Sequence, residues 1–94
     1  MGRLLQSLQL AEVHCVPFAP HNVGGPVATI AYSHVAGNAP NSLVLEFHVD
    51  DIPWYYDLVT GAVPVVKNGY LPVLDAPGYG VEINEEVAAA HPDP

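Results

Sequence analysis

Two ionisable side chains stand near the ends of two apolar runs, and both can take part in acid–base chemistry. His21 comes shortly after the run 15–18, and Glu46 lies inside the run 43–49. A histidine titrates near neutral pH and can move a proton, and a glutamate can hydrogen-bond an oxygen whose charge changes during a reaction. From position alone, His21 is equally well an ordinary loop histidine. The competing interpretation of Glu46 is a structural carboxylate that is ion-paired or hydrogen-bonded.

Motifs for other kinds of catalysis are missing from the sequence. The five histidines and Cys15 match neither CxxC nor HExxH spacing, so we predict no metal ligands in this chain. There is no Gly-x-Ser-x-Gly motif, and Cys15 falls in a predicted strand rather than at an activating helix start. His34 lies in the apolar stripe of a predicted helix, which indicates a packed side chain rather than a ligand.

Length, charge and cysteine content indicate the number of domains, the kind of partner and the location of the protein. The chain has 94 residues, half of them apolar, which suits one domain, and no apolar run is long enough to span a membrane. Two basic residues against ten acidic ones give a formal net charge of −8, so we expect no nucleic-acid partner. A single cysteine permits no disulfide within the chain and favours a reducing, cytoplasmic location. Scarce lysine suggests adaptation to high salt, with an ordinary acidic protein as the alternative.

A short strand and a helix are predicted on either side of His21. Apolar residues at spacings of three and four predict a helix over 3–13, and the run 15–18 is typical of a strand buried on both faces. Pro26 begins a second predicted helix, 26–37. This order places His21 just past the carboxyl end of a strand, where α/β proteins bind ligands. The first amides of the helix after it would favour a carboxylate or phosphate.

Glu46 lies on a second predicted strand, 43–49, which we expect to run parallel to the first because a helix joins the two. Neighbouring strands lie about 5 Å apart, so His21 and Glu46 can converge on one ligand. His48, on the same face as Glu46, is either a substrate contact or a residue at the rim. We take His48 and Asn22, which adjoins His21, as candidate substrate-binding residues.

The remaining residues predict a short aromatic helix, followed by a C-terminal part rich in β-structure. Asn-Gly between two apolar runs is a strong hairpin signal, and an asparagine followed by two glutamates is typical of a helix start. The predicted elements are a helix over 50–58 begun by Asp50, Asp51 and Pro53, a hairpin around 67–69, an extended run over 81–83, and a helix over 85–91 capped by Asn84.

Four motifs, in this order, resemble the C-terminal end of the enolase superfamily. They are Ala-Pro-His-Asn-Val-Gly-Gly-Pro at 19–26, Leu-Glu-Phe-His at 45–48, Lys-Asn-Gly-Tyr at 67–70, and Pro-Gly-Tyr-Gly-Val-Glu-Ile at 77–83. The resemblance covers almost the whole chain but only the last portion of a family member. It is strongest to the mandelate racemase/muconate lactonizing enzyme branch and, within it, to acid-sugar dehydratases of the galactonate type. Tyr79 stands where the family more often has leucine, a minor departure.

The resemblance implies an α/β fold, namely the last two β/α units of a (β/α)8 TIM-type barrel followed by a β-rich C-terminal extension. Residues 15–18 would be the seventh strand of the barrel and 43–48 the eighth. Residues 1–60 would then form the C-terminal part of the barrel, and 61–94 the extension that packs back on the family's N-terminal capping domain.

The resemblance also implies a chemistry, in which a Mg²⁺-dependent lyase removes the proton next to the carboxylate of a sugar acid and then expels water; a racemase is the alternative. The family's acid–base histidine, one half of a His-Asp dyad, falls on His21. The glutamate that hydrogen-bonds the substrate carboxylate as the enediolate forms falls on Glu46. The Mg²⁺ ligands, the aspartate of the dyad and the opposing base lie earlier in family members, outside this chain.

The sequence therefore predicts a C-terminal fragment of an aldonate dehydratase-like enzyme that is inactive alone. One alternative is an independent, non-catalytic binding or structural module derived from the family. Another is a complete small enzyme that uses His21 and Glu46 without a metal. If the chain is a fragment, strand 43–49 has an open edge, and we expect self-association or binding to the missing part of the barrel.

Overall fold

Three helices and one two-stranded sheet account for the regular structure of this computed structural model within residues 2–48 and 52–92, which are the residues it describes. The helices are α1 (Gly2–Val13), α2 (Pro26–Asn38) and α3 (Glu85–Ala90). The strands are β1 (Val59–Gly61) and β2 (Val81–Ile83), and a 3₁₀ turn at Tyr56–Leu58 leads into β1. The helices predicted over 3–13, 26–37 and 85–91 are confirmed.

The small core lies around helix α2. Ile30 is 1% exposed, and Thr29 and Ser33 on the same helix are also buried. Leu8 on α1 and Val59 on β1 are buried as well. Helix α2 carries several of the buried residues, so contacts that hold α2 in the fold also position the loop before it.

The segments predicted as strands 15–18 and 43–49 are joined, within the described residues, by one parallel bridge between Phe18 and Ser42, the residue just before the second predicted strand. The Phe18 N–H donates to Asn41 O, and the Leu43 N–H donates to Phe18 O, both at 2.8 Å. The parallel direction is thus confirmed, but the prediction of two regular strands is wrong for these residues. Val49 lies outside the described residues.

Pro20 explains why the parallel pairing stops. Proline has no N–H, so it cannot donate the next bond of the ladder. Its carbonyl instead accepts from Glu46 N at 3.3 Å, one residue later along the second segment than a regular parallel ladder requires. The extra residue is a bulge, a feature that re-aims side chains next to it.

Cys15 does not begin a strand but ends helix α1. It has φ +54°, is exposed, and donates its N–H to Glu12 O at 2.9 Å, while the Val16 N–H donates to Ala11 O at 2.8 Å. This pair of bonds is a Schellman motif, in which a left-handed residue closes the helix. The prediction that Cys15 is a buried strand residue is therefore wrong. Cys15 belongs to the end of α1, because its left-handed conformation allows the two hydrogen bonds that close the helix.

Strands β1 and β2 pair antiparallel, with Val59 opposite Ile83 and Gly61 opposite Val81. The extended run 81–83 was predicted from the sequence and is confirmed, whereas its partner Val59–Gly61 was not predicted. Part of the predicted aromatic helix is a 3₁₀ turn, and its proposed caps, Asp50 and Asp51, lie outside the described residues. Strand β1 also spans the boundary predicted between 1–60 and 61–94, a division that stays a prediction.

The predicted hairpin is confirmed at its tip. Lys67 and Tyr70 exchange two backbone hydrogen bonds of 2.9 Å, and Asn68 and Gly69 have φ +52° and +79°. Two consecutive positive φ angles define the type I′ turn that Asn-Gly favours. The flanking runs 63–66 and 71–73 form no regular strands. At α3, Asn84 Oδ1 accepts from the Val87 N–H at 3.4 Å, which confirms the predicted cap.

Candidate acid-base site

The side chains of His21 and Glu46 are in contact at the carboxyl ends of the two parallel segments. The distance from His21 Nδ1 to Glu46 Oε2 is 2.6 Å, and the side chains are 77% and 46% exposed. The Phe18–Ser42 bridge sets the direction of both segments, so the residues that follow them meet at one edge. The expectation that these two side chains converge agrees with this geometry; their catalytic roles stay predictions.

Asn22 lies beneath this pair and is 2% exposed. Its backbone N–H donates to Glu46 Oε2 at 2.9 Å, and its Nδ2 donates to the backbone carbonyl of Glu46 at 3.2 Å. Nδ2 also donates to Thr29 Oγ1 at 3.0 Å, and Oδ1 accepts from the Gly24 N–H at 3.4 Å. The side chain is turned to the interior, so these contacts favour a supporting role over the substrate contact predicted for Asn22, which stays a prediction.

The contacts of Asn22 continue into the core. Thr29 Oγ1, in the first turn of α2, lies 2.7 Å from the hydroxyl of Tyr55, and both residues are buried. Neither residue was singled out from the sequence. A threonine in a helix and a tyrosine in an aromatic cluster carry no spacing signal that links them to a loop histidine, so only the tertiary contact identifies them.

The pKa of the Glu46 carboxyl is lowered from its usual range. The hydrogen bond from the Asn22 backbone N–H is the largest cause, and partial loss of hydration opposes it. The charge of His21, its hydrogen bond and the charge of His48 lower this pKa further. Glu46 is therefore ionised at neutral pH, where it accepts hydrogen bonds and does not donate them.

An ionised Glu46 determines which nitrogen of His21 carries a proton in this contact. Because the carboxylate only accepts, the proton lies on Nδ1, and Nε2 is the ring nitrogen left to exchange a proton with a ligand. An exposed imidazole held in one tautomer by a carboxylate is the arrangement that general acid–base catalysis uses.

The other histidines singled out from the sequence lie apart from this contact. His48 is exposed, and its charge acts on Glu46. His34 is half-buried in α2, and the centre of its ring is 6.4 Å from that of Tyr79. The prediction of a packed histidine at 34 is confirmed.

Within residues 2–48 and 52–92, no three His, Cys, Asp or Glu side chains form a group that could hold a metal ion. The residues described here therefore do not fit a magnesium site of their own. A groove of about 620 Å³ lies along the C-terminal segment, lined by Pro64, Lys67 and Tyr70 among others, and neither His21 nor Glu46 lines it. No helix among these residues is long and apolar enough to cross a membrane.

Comparison with known proteins identifies the family. The enolase C-terminal domain-like family matches residues 1–87, and this chain belongs to it. The membership expected from the four motifs, including the mandelate racemase/muconate lactonizing enzyme branch, is confirmed.

Individual relatives and solved structures match this chain over part of their own length. D-xylonate dehydratase of Haloferax volcanii is 37% identical over 82 residues, which cover 87% of this chain and 20% of the relative. A mandelate racemase/muconate lactonizing enzyme-like protein from Rubrobacter xylanophilus matches with a TM-score of 0.85 and 40% identity over 94% of this chain and 23% of that one. A putative L-alanine-DL-glutamate epimerase from Burkholderia xenovorans, bound to magnesium and fumarate, matches with a TM-score of 0.83 and 33% identity over 93% and 21%. This chain spans about a fifth of the length of these relatives.

Proposed function

We propose that this chain supplies the C-terminal part of the active site of an acid-sugar dehydratase-like enzyme. In this site His21 exchanges a proton with the substrate, and Glu46 orients the side chain of His21. The observation that carries this proposal is the 2.6 Å contact between the two side chains at the ends of two parallel segments. Its support from relatives is the 37% identity to a D-xylonate dehydratase. A racemase is the alternative reaction, since both start with proton removal next to a carboxylate.

His21 has the geometry for its task. Its Nδ1 is engaged by Glu46, and 77% of its side chain is exposed, so a substrate can approach the ring. With Nδ1 protonated, Nε2 accepts a proton from the substrate carbon or returns one to a leaving hydroxyl. Water expelled from a sugar acid needs such a proton donor at the departing oxygen.

Glu46 orients His21 in this arrangement. The role implied by the resemblance, a hydrogen bond to the substrate carboxylate, requires Glu46 to carry a proton, and its lowered pKa opposes that. The substrate contacts predicted for Glu46 and His48 belong to the complete site, where the rest of the enzyme adds to the surroundings. For Asn22, whose side chain is buried and bonded inside the fold, we propose a supporting role in place of the predicted substrate contact.

In this proposal the magnesium ligands belong to the rest of the enzyme and not to this chain. The Burkholderia relative was solved with magnesium, whereas the described part of this chain offers no ligand cluster. Mg²⁺ in the complete site would be bound by side chains outside this chain, and no step assigned here to His21 or Glu46 uses a metal that this chain binds. We therefore propose that the chain is inactive by itself.

The partner is the remainder of a (β/α)8 barrel or a second copy of this chain. Leu43 and Val44, on the segment that would be the eighth strand, are 70% and 59% exposed, and Val16 on the other segment is 50% exposed. Exposed apolar side chains on segments that form no regular strand promote association. In this proposal residues 1–60 complete the barrel and 61–94 form the extension.

Complementation tests the proposed function. The chain is coexpressed with a Haloferax D-xylonate dehydratase truncated by the region that it matches, and dehydration of D-xylonate with Mg²⁺ is followed by mass spectrometry. We expect activity from the pair and none from either part. The variants His21→Ala and Glu46→Gln should abolish it, whereas His14→Ala, an exposed histidine in the turn after α1, should retain it.

Two outcomes contradict the proposal. Full activity of the pair with His21→Ala removes the assigned acid–base role. No activity in any pairing, combined with a compact and monodisperse monomer in sedimentation, favours the alternative of an independent, non-catalytic module. An upstream reading frame that continues the barrel before Met1 favours the fragment instead.

A further inference from the structure

The side chain of Asn22 is buried next to the acid–base pair. It is one of three buried polar residues among those described, together with Thr29 and Ser33. A buried amide is stable only when its donors and acceptors are paired, and a paired amide holds its partners in fixed positions. The partners of Asn22 include both the side chain and the main chain of Glu46.

We propose that Asn22, supported by Thr29 and Tyr55, is the positioning residue that holds the Glu46 carboxylate against His21. This inference rests on the proposed function, because it explains how the acid–base pair is kept in register.

The main chain of Glu46 is fixed first. Its carbonyl accepts from Asn22 Nδ2 at 3.2 Å, and its N–H donates to Pro20 O at 3.3 Å. These bonds anchor the segment directly after the bulge, where the regular ladder has ended. Without the amide of Asn22, the Glu46 main chain would keep its 3.3 Å bond to Pro20 O and lose the bond to its carbonyl.

The carboxylate is fixed second. Once the Glu46 main chain is anchored, the backbone N–H of Asn22 lies 2.9 Å from Oε2, the same oxygen that accepts from His21 Nδ1. One carboxylate oxygen thus receives two donors from consecutive residues. A carboxylate in this position cannot rotate away without losing both bonds.

The side-chain amide of Asn22 is in turn held by hydrogen bonds to the core. Nδ2 of Asn22 donates to Thr29 Oγ1 at 3.0 Å, and that oxygen lies 2.7 Å from the Tyr55 hydroxyl. Thr29 is on α2 and Tyr55 precedes the 3₁₀ turn, so the contact ties the loop to two separate elements of the core. Positioning by a core-anchored network keeps the exposed pair ordered although water surrounds it.

NMR titration of the intact chain tests the inference without any activity. The side-chain carboxyl carbon of Glu46 and the ring protons of His21 are followed against pH. In Asn22→Ala we expect the titration of Glu46 to move upward toward the ordinary range of a glutamate, because the Asn22 N–H that lowers its pKa most is no longer held in place. Thr29→Val should move it the same way by less, and Thr29→Ser, which keeps the hydroxyl, should restore it.

Matched controls separate positioning from general loss of stability. Ser33→Ala removes another buried hydroxyl of α2, one that donates to Ile30 O at 2.7 Å and does not touch Glu46. It should destabilise the fold and leave the Glu46 titration in place. Tyr55→Phe should shift that titration slightly, and Tyr56→Phe, at the exposed neighbouring tyrosine, should not. His21 and His48 act on Glu46 in every variant, so differences between variants report on Asn22 and its support.

An unchanged Glu46 titration in a folded Asn22→Ala variant overturns the inference. If that variant does not fold, identical titrations of Thr29→Val and Thr29→Ser overturn it, and if Thr29→Val does not fold either, identical titrations of Tyr55→Phe and Tyr56→Phe do so. In the complemented enzyme, Thr29→Val should reduce kcat about tenfold and change KM little. Failure of complementation would remove the proposed function and leave the titration result standing.

Discussion

Nδ1 of His21 lies 2.6 Å from Oε2 of Glu46, and the two residues follow segments whose backbones are joined by one parallel bridge. The same oxygen accepts the backbone N–H of Asn22. Exposed ion pairs contribute little to stability because water and salt screen them, so the importance of this contact lies in orientation.

Glu46→Gln should reduce the dependence of stability on acid pH. Because the pKa of Glu46 is lower in the folded chain than in the unfolded one, the unfolded chain binds the proton first as pH falls. The stability due to Glu46 is present above the unfolded pKa of about 4.3 and is lost as pH falls through the folded value. Urea unfolding between neutral pH and about pH 3 measures it, and Gln should flatten the curve.

Glu82→Gln is the control for this experiment, since Glu82 is exposed on strand β2, away from the site. Its curve should follow that of the natural sequence. Equal acid sensitivity in the Glu46→Gln and Glu82→Gln variants would show that the Glu46 contact is not formed in solution.

Cys15→Gly should stabilise the chain by about 1 kcal/mol, because a left-handed conformation costs a side chain about that much and glycine almost nothing. Cys15 has φ +54° at the end of α1, where glycine is the usual residue. The free energy of unfolding by urea measures the change. Cys15→Ala keeps the strain and serves as control; a Gly variant no more stable than the Ala variant contradicts the helix end described here.

Gly61→Ala should be far more destabilising than Gly78→Ala. Gly61 has φ +104°, and a Cβ there would lie 2.9 Å from the Gly80 carbonyl oxygen, a backbone atom of the paired segment. Gly78 has φ +63° and open space around it. We expect about 3 kcal/mol for Gly61→Ala and about 1 kcal/mol for Gly78→Ala in thermal or urea unfolding. Equal losses would contradict the pairing of β1 with β2.

Salt should stabilise this chain. Ten acidic residues against two basic ones leave a net charge of −8, and mobile ions screen the repulsion among them. The unfolding temperature at neutral pH should rise when KCl is increased from about 0.1 M to about 2 M, where the screening length is only about 3 Å or less. An unfolding temperature that does not respond to KCl removes the interpretation of the acidic composition as adaptation to high salt.

Helices α1, α2 and α3 and the Asn-Gly turn were predictable because their signals are local, whereas the left-handed end of α1 at Cys15 and the 3₁₀ turn at Tyr56–Leu58 were not predicted. Pro26 at the start of α2, Asn84 at the start of α3, and Asn68-Gly69 in the hairpin act on neighbouring backbone groups only. The strands were less predictable. A run of apolar residues does not show that Pro20 will interrupt its ladder, nor that Val59–Gly61 will pair with Val81–Ile83.

Some residues of the candidate site were likewise predictable from the sequence, and others were not. His21 and Glu46 stand out in the sequence as polar residues at the ends of apolar runs, and the motifs around them carry the family resemblance. Thr29 and Tyr55 carry no such signal, because a hydroxyl within an apolar helix face or an aromatic cluster is ordinarily a packing residue. Their importance comes from a contact with Asn22 that joins distant parts of the chain.

The sequence by itself determined helices α1, α2 and α3, the Asn-Gly turn, the acidic charge and the positions of a histidine and a glutamate that we propose as an acid–base pair. These depend on residue type and on neighbours a few positions away. Only the tertiary structure decided that one bulge and one buried amide bring the Glu46 carboxylate to His21. Hydrogen bonds between distant segments depend on where the packed core places their backbones, and residue spacing along the chain does not specify that.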